Sequence, residues 1–307
     1  MNKRILILGG GISKERLISL ETAKSVFNEL KKKKYKVTIC EPDQDLFKNI
    51  KKFKPNVVFN ALHGQFGEDG YIQSILETRK LKYTHSGVLA SSIAMDKEIS
   101  KKIYIKNKIL TPKFIKFKFN RDNSNNKNLL IKIEKKFKFP VVIKPINEGS
   151  SVNVFICNKR NFIKNLKKLN HYKEILIEQF IGGREIQVAI MGKRKLGAIE
   201  LKPKRKFYDY QAKYNINAKT KHIIPVNLKK KNLKKIMDIA FKAHNLIGCK
   251  GVTRSDFKFY KNKFYLLETN TQPGMTKLSL VPEIANYKGL KFIDLIEWIL
   301  NDASTNR

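Results

Sequence analysis

Four polar side chains near the end of the chain have the types and the spacing of a metal site. They lie on the two arms of a predicted β-hairpin, GVTRSDFKFY and FYLLETN, which are separated by the letters KNK. Side chains two residues apart on a strand share a face. A turn centred on Asn262 places Asp256 opposite Glu268. The same turn places Arg254 opposite Asn270, so all four side chains are expected to project together.

Two interpretations of this group are open. Two carboxylates and an amide oxygen beside an arginine are poor core material, because unpaired buried charge is costly. Magnesium prefers oxygen ligands and keeps several waters, so the group is suited to magnesium that holds nucleotide phosphates. The alternative is a cross-strand salt bridge between Arg254 and the acids on an exposed face. The four residues alone do not decide between these interpretations.

The elements at the start of the chain predict a parallel sheet with covered faces. The apolar run RILIL ends in the glycines at 9–11, which is typical of a buried strand that enters a tight turn. Ser13 is expected to cap the next helix, with Glu15 in its first turn, where the helix dipole favours an acid. Further strands are predicted at 36–40 and 56–62, and strand–helix alternation is typical of parallel sheets.

Two more units are expected, with boundaries near residue 90 and at the glycine pair 182–183. Helices are predicted over 90–107, 161–169 and 228–246. The predicted strands lie at 114–117, 141–144, 175–180, 185–191 and 196–201. Polar surface loops are expected over 120–128 and 202–221, and a closing helix over 289–300.

The composition excludes several classes of protein. The net charge of +38 would suit nucleic acid if the lysines were clustered. They are instead dispersed over nearly every segment, so we interpret them as solvated helix faces and expect no specific nucleic-acid partner. The three cysteines show no CxxC spacing, which argues against zinc and disulfides. No run of about 18 apolar residues exists, and the run at 5–8 is too short for a signal peptide. A cytoplasmic protein without membrane contact is expected.

The hairpin continues as ETNTQPGMT, and this segment resembles the magnesium strand and following loop of the D-alanine–D-alanine ligases, which are ATP-grasp enzymes. Further segments match the family in order over nearly the whole chain: GGGISKERLISL, ALHGQFGEDG, SGVLASSIAMDK, VVIKPINEGSSV, ILIEQFI, FYDYQAKY, GCKGVTRSDF and SLVPEIA. The triple glycine alone is weak, but the ordered set is specific. The resemblance implies an α/β chain in which a Rossmann-like domain with a parallel sheet (1–89) precedes a two-domain ATP-grasp fold (90–182 and 183–307).

The resemblance also implies a reaction. ATP phosphorylates the carboxylate of a first D-alanine, and the amine of a second D-alanine attacks the acyl phosphate. The products are D-alanyl-D-alanine for peptidoglycan precursors, ADP and phosphate. The implied cofactors are ATP and Mg²⁺, with Mn²⁺ as a substitute and two ions expected, and the implied assembly is a homodimer. The alternatives are a related ligase that couples D-lactate or another amino acid, a basic nucleic-acid-binding protein, and a non-catalytic nucleotide-binding module.

For the nucleotide, the resemblance implies contacts from lysines, a phosphate-covering loop and a hinge strand. Glu178 would bind the exocyclic amine of adenine and Glu185 the ribose hydroxyls. The remaining residues would contact phosphates or present backbone groups to the base. The implied set is Lys97, Lys144, Ser151, Glu178, Gln179, Phe180, Ile181, Glu185 and Lys213. From the residues alone, solvated surface lysines and acids remain the alternative for each charged member.

For the two amino acids, the resemblance implies a second set of residues. Glu15 would bind the ammonium of the first D-alanine and join Ser150 and Tyr214 in a network that closes the site. Arg254 and the amide of Gly274 would stabilise the oxyanion. The other implied substrate contacts are His63, Ser279 and Leu280, and the implied metal ligands are Asp256, Glu268 and Asn270. Without the resemblance, dipole compensation is an equally open interpretation of Glu15, and a structural role is the more common one for a lone histidine such as His63.

The chain departs from the family pattern at a few positions. Asn153 stands where a glycine usually follows GSSV, and asparagine tolerates left-handed backbone better than most residues. Leu17 and Ile18 replace an acid-and-valine pair. In relatives that use D-lactate, a histidine typically occupies the region of Tyr214, so this tyrosine favours D-alanine as the acceptor.

Overall fold

The structure is a computed structural model that describes residues 3–43, 45–119, 126–203 and 220–307. Its strands form sheets of three, four and five strands, which follow one another along the chain. None of the helices in these ranges combines the length and the apolar character that spanning a bilayer requires.

The first sheet is parallel and both of its faces are covered, as predicted. Its strands are β1 (Arg4–Leu8), β2 (Lys36–Cys40) and β3 (Val57–Asn60), in the order β2-β1-β3. Residues 5 and 7 of β1 join one hydrophobic core and residues 6 and 8 join another, because successive side chains point to opposite faces. The helices of this part of the chain are α1 (Arg16–Lys32), α2 (Leu46–Phe53) and α3 (Tyr71–Thr78).

The prediction that Ser13 caps the first helix is wrong. Glu15 occupies the capping position of α1, and no side chain caps that end of the helix. The Ser13 hydroxyl instead donates to the carbonyl of His63 at 2.6 Å and accepts from the Glu15 amide at 3.1 Å. Ser13 therefore joins the start of α1 to the loop after β3 and brings Glu15 beside His63.

The helix predicted over 90–107 is two helices, α4 (Val88–Met95) and α5 (Lys97–Lys106). Asp96 separates them with an extended backbone, and its carboxylate accepts from the amides of Glu98 and Ile99. An aspartate that satisfies two amides is a strong start for a new helix. The break places Lys97 at the first position of α5.

The second sheet is antiparallel, with the order β4-β7-β5-β6. Its strands are β4 (Phe114–Lys118), β5 (Val141–Pro145), β6 (Phe155–Cys157) and β7 (Glu174–Gln179), and its helices are α6 (Asn126–Lys136) and α7 (Phe162–Lys167). The loop expected over 120–128 is helical from 126, and 120–125 lie outside the described residues. One apolar core lies between this sheet and its helices.

The third sheet has the order β10-β9-β8-β11-β12 and is antiparallel throughout. Its strands are β8 (Arg184–Met191), β9 (Arg194–Lys202), β10 (Lys221–Ile223), β11 (Val252–Tyr260) and β12 (Lys263–Asn270), and the last helices are α8 (Lys230–Ile247), α9 (Leu280–Tyr287) and α10 (Phe292–Asp302). One face packs on α8 together with α4 and α5, and the other shares a core with the first sheet. The domain limits at 89/90 and 182/183 stay predictions.

Candidate active site

The hairpin that carries the four polar side chains has the predicted cross-strand pairs. A two-residue turn and a β-bulge produce them, and not a turn centred on residue 262. Arg254 lies opposite Asn270 and Asp256 opposite Glu268. The connection is a two-residue turn at 261–262 with positive φ at both positions, rather than a turn centred on residue 262. A β-bulge then shifts the register next to Asp256. Without this bulge, Asp256 and Glu268 would lie on opposite faces, because each residue of slip reverses the side of the sheet.

The arginine of this group binds an acid on its own strand. The Arg254 guanidinium donates two hydrogen bonds to Asp256, at 2.7 and 2.9 Å. Asp256 is only 4% exposed, so the group is not an ion pair across an exposed face. Glu268 lies 3.8 Å from the Lys97 amine, and the side-chain oxygen of Asn270 accepts from the backbone of the next loop.

One pocket lies between the second and third sheets beside these acids. Every described residue of the nucleotide set lines it, from α5, from β5 and the loop after it, and from β7 and the connection that follows. These residues are Lys97, Lys144, Ser151, Glu178, Gln179, Phe180, Ile181 and Glu185, together with Asp256 and Glu268. Lys213 lies outside the described residues.

A second pocket lies against the first sheet. The described members of the amino-acid set line it: Glu15, His63, Ser150, Arg254, Gly274, Ser279 and Leu280, with Glu268 and Asn270. Tyr214 lies outside the described residues. Lys97, Glu148 and Glu268 line both pockets, so the two cavities are neighbours that meet at these side chains.

Glu15 is buried where the first sheet meets the loop after β5. The Ser150 hydroxyl donates to its carboxylate. A Cβ at Gly149 would lie 2.6 Å from a Glu15 oxygen, and a Cβ at Gly64 would lie 2.7 Å from it. A Cβ atom essentially never lies this close to another heavy atom, so glycine at these two positions leaves space for the Glu15 carboxylate.

Protein groups hold both ring nitrogens of His63. Its Nδ1 lies 3.0 Å from the Glu68 carboxylate and its Nε2 lies 3.0 Å from the Thr22 hydroxyl. Because a carboxylate only accepts, Nδ1 is the donor in the contact with Glu68, while the Thr22 hydroxyl can accept or donate at Nε2. The ring is thereby fixed at the wall of the second pocket. Its predicted contact with substrate stays a prediction.

The loop after β5 has an unusual backbone. Ser150, Ser151 and Asn153 all have positive φ, at 46°, 59° and 55°. Asn153 thus adopts the left-handed conformation in which the family usually has glycine. Its side chain also donates to the Tyr172 hydroxyl at 2.8 Å, a contact that glycine lacks.

A small cluster ties this loop to the rest of the molecule. The Tyr172 hydroxyl donates to Glu148 at 2.8 Å, and the Lys14 amine donates to the same carboxylate at 2.7 Å. We call Lys14, Glu148, Asn153 and Tyr172 the loop cluster. Neither Lys14 nor Tyr172 was predicted, because both contacts join segments far apart in sequence.

A second cluster of charges lies at the end of the first pocket. Glu178 accepts from the Lys144 amine at 2.6 Å and lies 3.0 Å from the Lys101 amine. We call Lys101, Lys144 and Glu178 the hinge cluster. Burial opposes ionisation of Glu178, but the charges of both lysines outweigh it and lower the pKa of Glu178. Burial lowers the pKa of Lys101 to about 8 despite the attraction of Glu178.

Comparison with known proteins identifies the family. Residues 104–301 match the family model described as D-ala D-ala ligase C-terminus. Over 307 residues the chain is 72% identical to a D-alanine–D-alanine ligase of Pelagibacter ubique, and the alignment covers all of both chains. This chain belongs to the D-alanine–D-alanine ligase family.

Solved structures agree with this assignment. The D-alanine–D-alanine ligase of Bacillus anthracis complexed with ATP superposes with a TM-score of 0.82 at 29% identity, over 98% of this chain and 97% of that one. The VanG D-Ala:D-Ser ligase of Enterococcus faecalis gives a TM-score of 0.81 at 24% identity, over 98% of this chain and 99% of that one. At that identity the second likeness shows the fold alone. The predicted ATP-grasp fold is confirmed.

Other residues that line the two pockets form pairs that sequence patterns do not reveal. Glu185 binds Lys258 at 2.8 Å, and both line the first pocket. Ser279 precedes α9, and its hydroxyl accepts from the Thr276 amide at 3.0 Å. A Cβ at Gly274 would lie 3.1 Å from that hydroxyl. The loop after β12 is therefore tightly folded at the wall of the second pocket.

Proposed function

We propose that this chain joins two D-alanines at the expense of ATP, through D-alanyl phosphate, and releases ADP and phosphate. The product, D-alanyl-D-alanine, serves peptidoglycan precursor synthesis. Full-length identity of 72% to a D-alanine–D-alanine ligase carries the proposal. The two adjoining pockets support it, because phosphoryl transfer from ATP to a carboxylate requires neighbouring sites for both reactants.

The donor set at the hairpin fits a hard cation. Its groups are the carboxylates of Asp256 and Glu268 and the amide oxygen of Asn270, and magnesium prefers oxygen ligands. The described residues contain no cluster of three or more His, Cys, Asp or Glu side chains that could hold a metal ion, so the site proposed here combines two acids with an amide oxygen. These three residues would hold Mg²⁺ or Mn²⁺, which when bound offsets charge on the transferring phosphoryl group.

Protein cations assist the same step. Lys97 lies where the pockets meet, 3.8 Å from Glu268, so its amine is suited to contact the phosphates of ATP beside the transferred group. Lys144 faces the first pocket from β5 and serves the phosphates nearer the base. Glu178 and Glu185 bind the adenine amine and the ribose hydroxyls, with backbone groups at 179–181 completing the base site.

The second pocket orients the amino acids. The buried carboxylate of Glu15 binds the ammonium of the first D-alanine, and His63 lies beside its carboxylate. The guanidinium of Arg254 and the amide of Gly274 stabilise the oxyanion that forms when the second amine attacks. Ser279 and Leu280 face the second D-alanine. Lys213 and Tyr214 complete a lid that excludes water from the acyl phosphate.

The second substrate, which accepts the acyl group, distinguishes D-alanine–D-alanine ligases from related ligases. The fold is shared with a D-Ala:D-Ser ligase, and the alternative acceptors include D-lactate. We favour D-alanine because of Tyr214 and because of the full-length relative. We further propose a homodimer that works in the cytoplasm, as the family resemblance implies. Sedimentation at several concentrations tests the dimer, and a mass of one chain throughout would contradict it.

The test is phosphate release from ATP and magnesium, measured with D-alanine, L-alanine, D-serine and D-lactate, with the dipeptide assayed in parallel. We expect release and dipeptide with D-alanine. Release only when D-serine or D-lactate accompanies D-alanine would instead assign a different acceptor. A nucleic-acid-binding protein would show salt-sensitive duplex binding and indifference to Glu268→Gln.

A further inference from the structure

Lys101 is a buried lysine that the reaction as proposed above does not use. It lies on α5 one turn after Lys97, and its side chain is 0% exposed. It does not line the nucleotide pocket, whereas Lys144 and Glu178 do. A buried ammonium is costly unless other groups hold it. Its position therefore requires an explanation.

The amine of Lys101 has two partners of different kinds. It donates to the Thr111 hydroxyl at 2.7 Å and lies 3.0 Å from the Oε2 atom of Glu178. The Phe114 ring lies beside it, with its centroid 6.0 Å from the amine. The hydroxyl and the ring hold the amine beside the carboxylate, and neither Thr111 nor Phe114 lines the pocket.

The two lysines of the hinge cluster lie at different oxygens of one carboxylate. Lys144 donates to Oε1 of Glu178 from β5, and Lys101 approaches Oε2 from α5. With one cation at each oxygen, the carboxylate cannot rotate without losing a partner. It also stays ionised, since both charges favour the anion over burial. An ionised carboxylate only accepts hydrogen bonds.

Lys144 alone would not serve this purpose. Its amine faces the pocket, so an incoming phosphate competes with Glu178 for it. If Lys144 turned towards phosphate, a Glu178 without Lys101 would be a buried anion with no cation beside it. Lys101 supplies a second charge that the nucleotide cannot reach.

We propose that Lys101 is a positioning residue for base selection, which fixes Glu178 as an ionised acceptor for the exocyclic amine of adenine. The inference rests on the proposed role of Glu178 in the ligase reaction. A base with a carbonyl at that position presents an acceptor to an acceptor and is rejected. Inosine triphosphate is the appropriate probe, because it replaces that amine of ATP by a carbonyl.

The experiment compares ATP with inosine triphosphate in Lys101→Met, which keeps the length and removes the charge. We expect the KM for ATP to rise about tenfold while kcat at saturating ATP changes less than about threefold, since tenfold is the scale of one modest interaction. We expect the preference for ATP over inosine triphosphate, as a ratio of kcat/KM, to fall about tenfold as well.

Two further variants make the test specific. Lys102→Met is the matched control, because Lys102 lies on the same helix, is 65% exposed and pairs only with Glu98 among the described contacts. We expect wild-type values from it. Thr111→Val keeps all charges of the hinge cluster but removes the hydroxyl that aligns Lys101, so a smaller loss of preference for ATP is expected. Thr111→Val serves as the test if Lys101→Met does not fold.

The outcomes separate this inference from the proposed function. A folded Lys101→Met with the wild-type KM for ATP and the wild-type preference would overturn the inference, even if its melting temperature fell. If Lys101→Met did not fold, an unchanged preference in Thr111→Val would overturn it. If the wild-type protein showed no D-alanine-dependent phosphate release, the proposed function would be wrong. Calorimetric affinities of wild type and Lys101→Met for ATP and inosine triphosphate would then still decide the role of Lys101.

Discussion

The hinge cluster and the loop cluster use the same chemistry in opposite surroundings. In the hinge cluster, Lys101, Lys144 and Glu178 are all buried. In the loop cluster, Glu148 pairs with a lysine that is 54% exposed. Salt and water screen exposed pairs but reach buried ones much less. Salt therefore weakens the ion pairs of the hinge cluster little, while the Lys14–Glu148 ion pair of the loop cluster forms and breaks at small cost in free energy.

This difference indicates where the molecule is rigid and where it moves. The hinge cluster joins α5 to two strands of the second sheet, so the base site exists before a nucleotide binds. The loop cluster instead holds a segment with left-handed residues at 150, 151 and 153. Such backbone persists only where its surroundings impose it. We infer that base recognition needs no movement and that closure takes place in the loop.

The largest expected effect concerns Glu268, which lies where both pockets meet. Glu268→Gln removes a charge suited to hold the metal, so kcat should fall by about 100-fold or more, because stabilisation of phosphoryl charge is worth several kcal/mol. Phosphate release with D-alanine measures it. Glu134→Gln is the control, since that acid pairs with Lys159 on the surface. If the kcat of Glu268→Gln stayed within threefold of wild type, Glu268 would not hold a catalytic magnesium ion. The hinge cluster and the loop cluster would then not serve one magnesium-dependent site.

The next effect is on stability and compares the two clusters directly. Glu178→Gln leaves two buried lysines without their anion, so the free energy of unfolding should fall by about 3 kcal/mol or more. Glu148→Gln breaks a pair with an exposed partner and should cost about 1 kcal/mol or less. Urea denaturation of both variants measures the difference. Equal losses would remove the distinction between a rigid and a mobile region.

A smaller effect is expected at Asn153. Asn153→Ala places a side chain that disfavours left-handed backbone at φ 55°, at a cost of about 1 kcal/mol. Asn153→Gly relaxes the backbone and loses only the hydrogen bond to Tyr172. We therefore expect the alanine variant, more than the glycine variant, to release phosphate without forming dipeptide. The ratio of phosphate to dipeptide measures this loss of closure. The reverse order would show that the hydrogen bond, and not the backbone, controls the loop.

The smallest effect is the salt dependence of the loop cluster. The coupling energy between Lys14 and Glu148, from a double-mutant cycle with Lys14→Met and Glu148→Gln, should be about 0.5 kcal/mol. It should approach zero near 1 M salt, where the screening length is about 3 Å. The coupling between Lys144 and Glu178 should hardly change. A loop coupling that survives high salt would contradict its assignment as a weak, screened contact.

Much of the fold follows from the sequence, and the described residues that the sequence analysis names for the site line two adjoining pockets. Apolar runs and glycines predicted the parallel sheet, and period-two spacing predicted the pairing of Asp256 with Glu268. The β-bulge that makes this pairing possible cannot be predicted from the spacing of apolar and polar residues, because it depends on how β11 and β12 hydrogen-bond. An aspartate followed two residues later by a glutamate is typical of a helix start, and Asp96 and Glu98 have this pattern. Helical spacing continues across Asp96, however, and therefore predicts a single helix.

The residues that sequence patterns missed belong to long-range pairs. Lys101 is one of many lysines in a chain with 64 basic residues, so its type alone carries no information. Its burial becomes visible only in the fold, where its amine lies 3.0 Å from the Glu178 carboxylate of the second sheet. Tyr172 and Lys14 meet in the same way, across more than 150 residues.

Phosphorylation of the D-alanine carboxylate can be measured directly by following one of its oxygen atoms. D-Alanine labelled with oxygen-18 in its carboxylate should transfer one labelled oxygen to the released phosphate, because the acyl phosphate keeps that oxygen on phosphorus when the second amine displaces it. Mass spectrometry of the phosphate measures the transfer. Labelled phosphate together with D-alanyl-D-alanine is the predicted result. Unlabelled phosphate would contradict phosphorylation of the carboxylate and, with it, the assigned reaction.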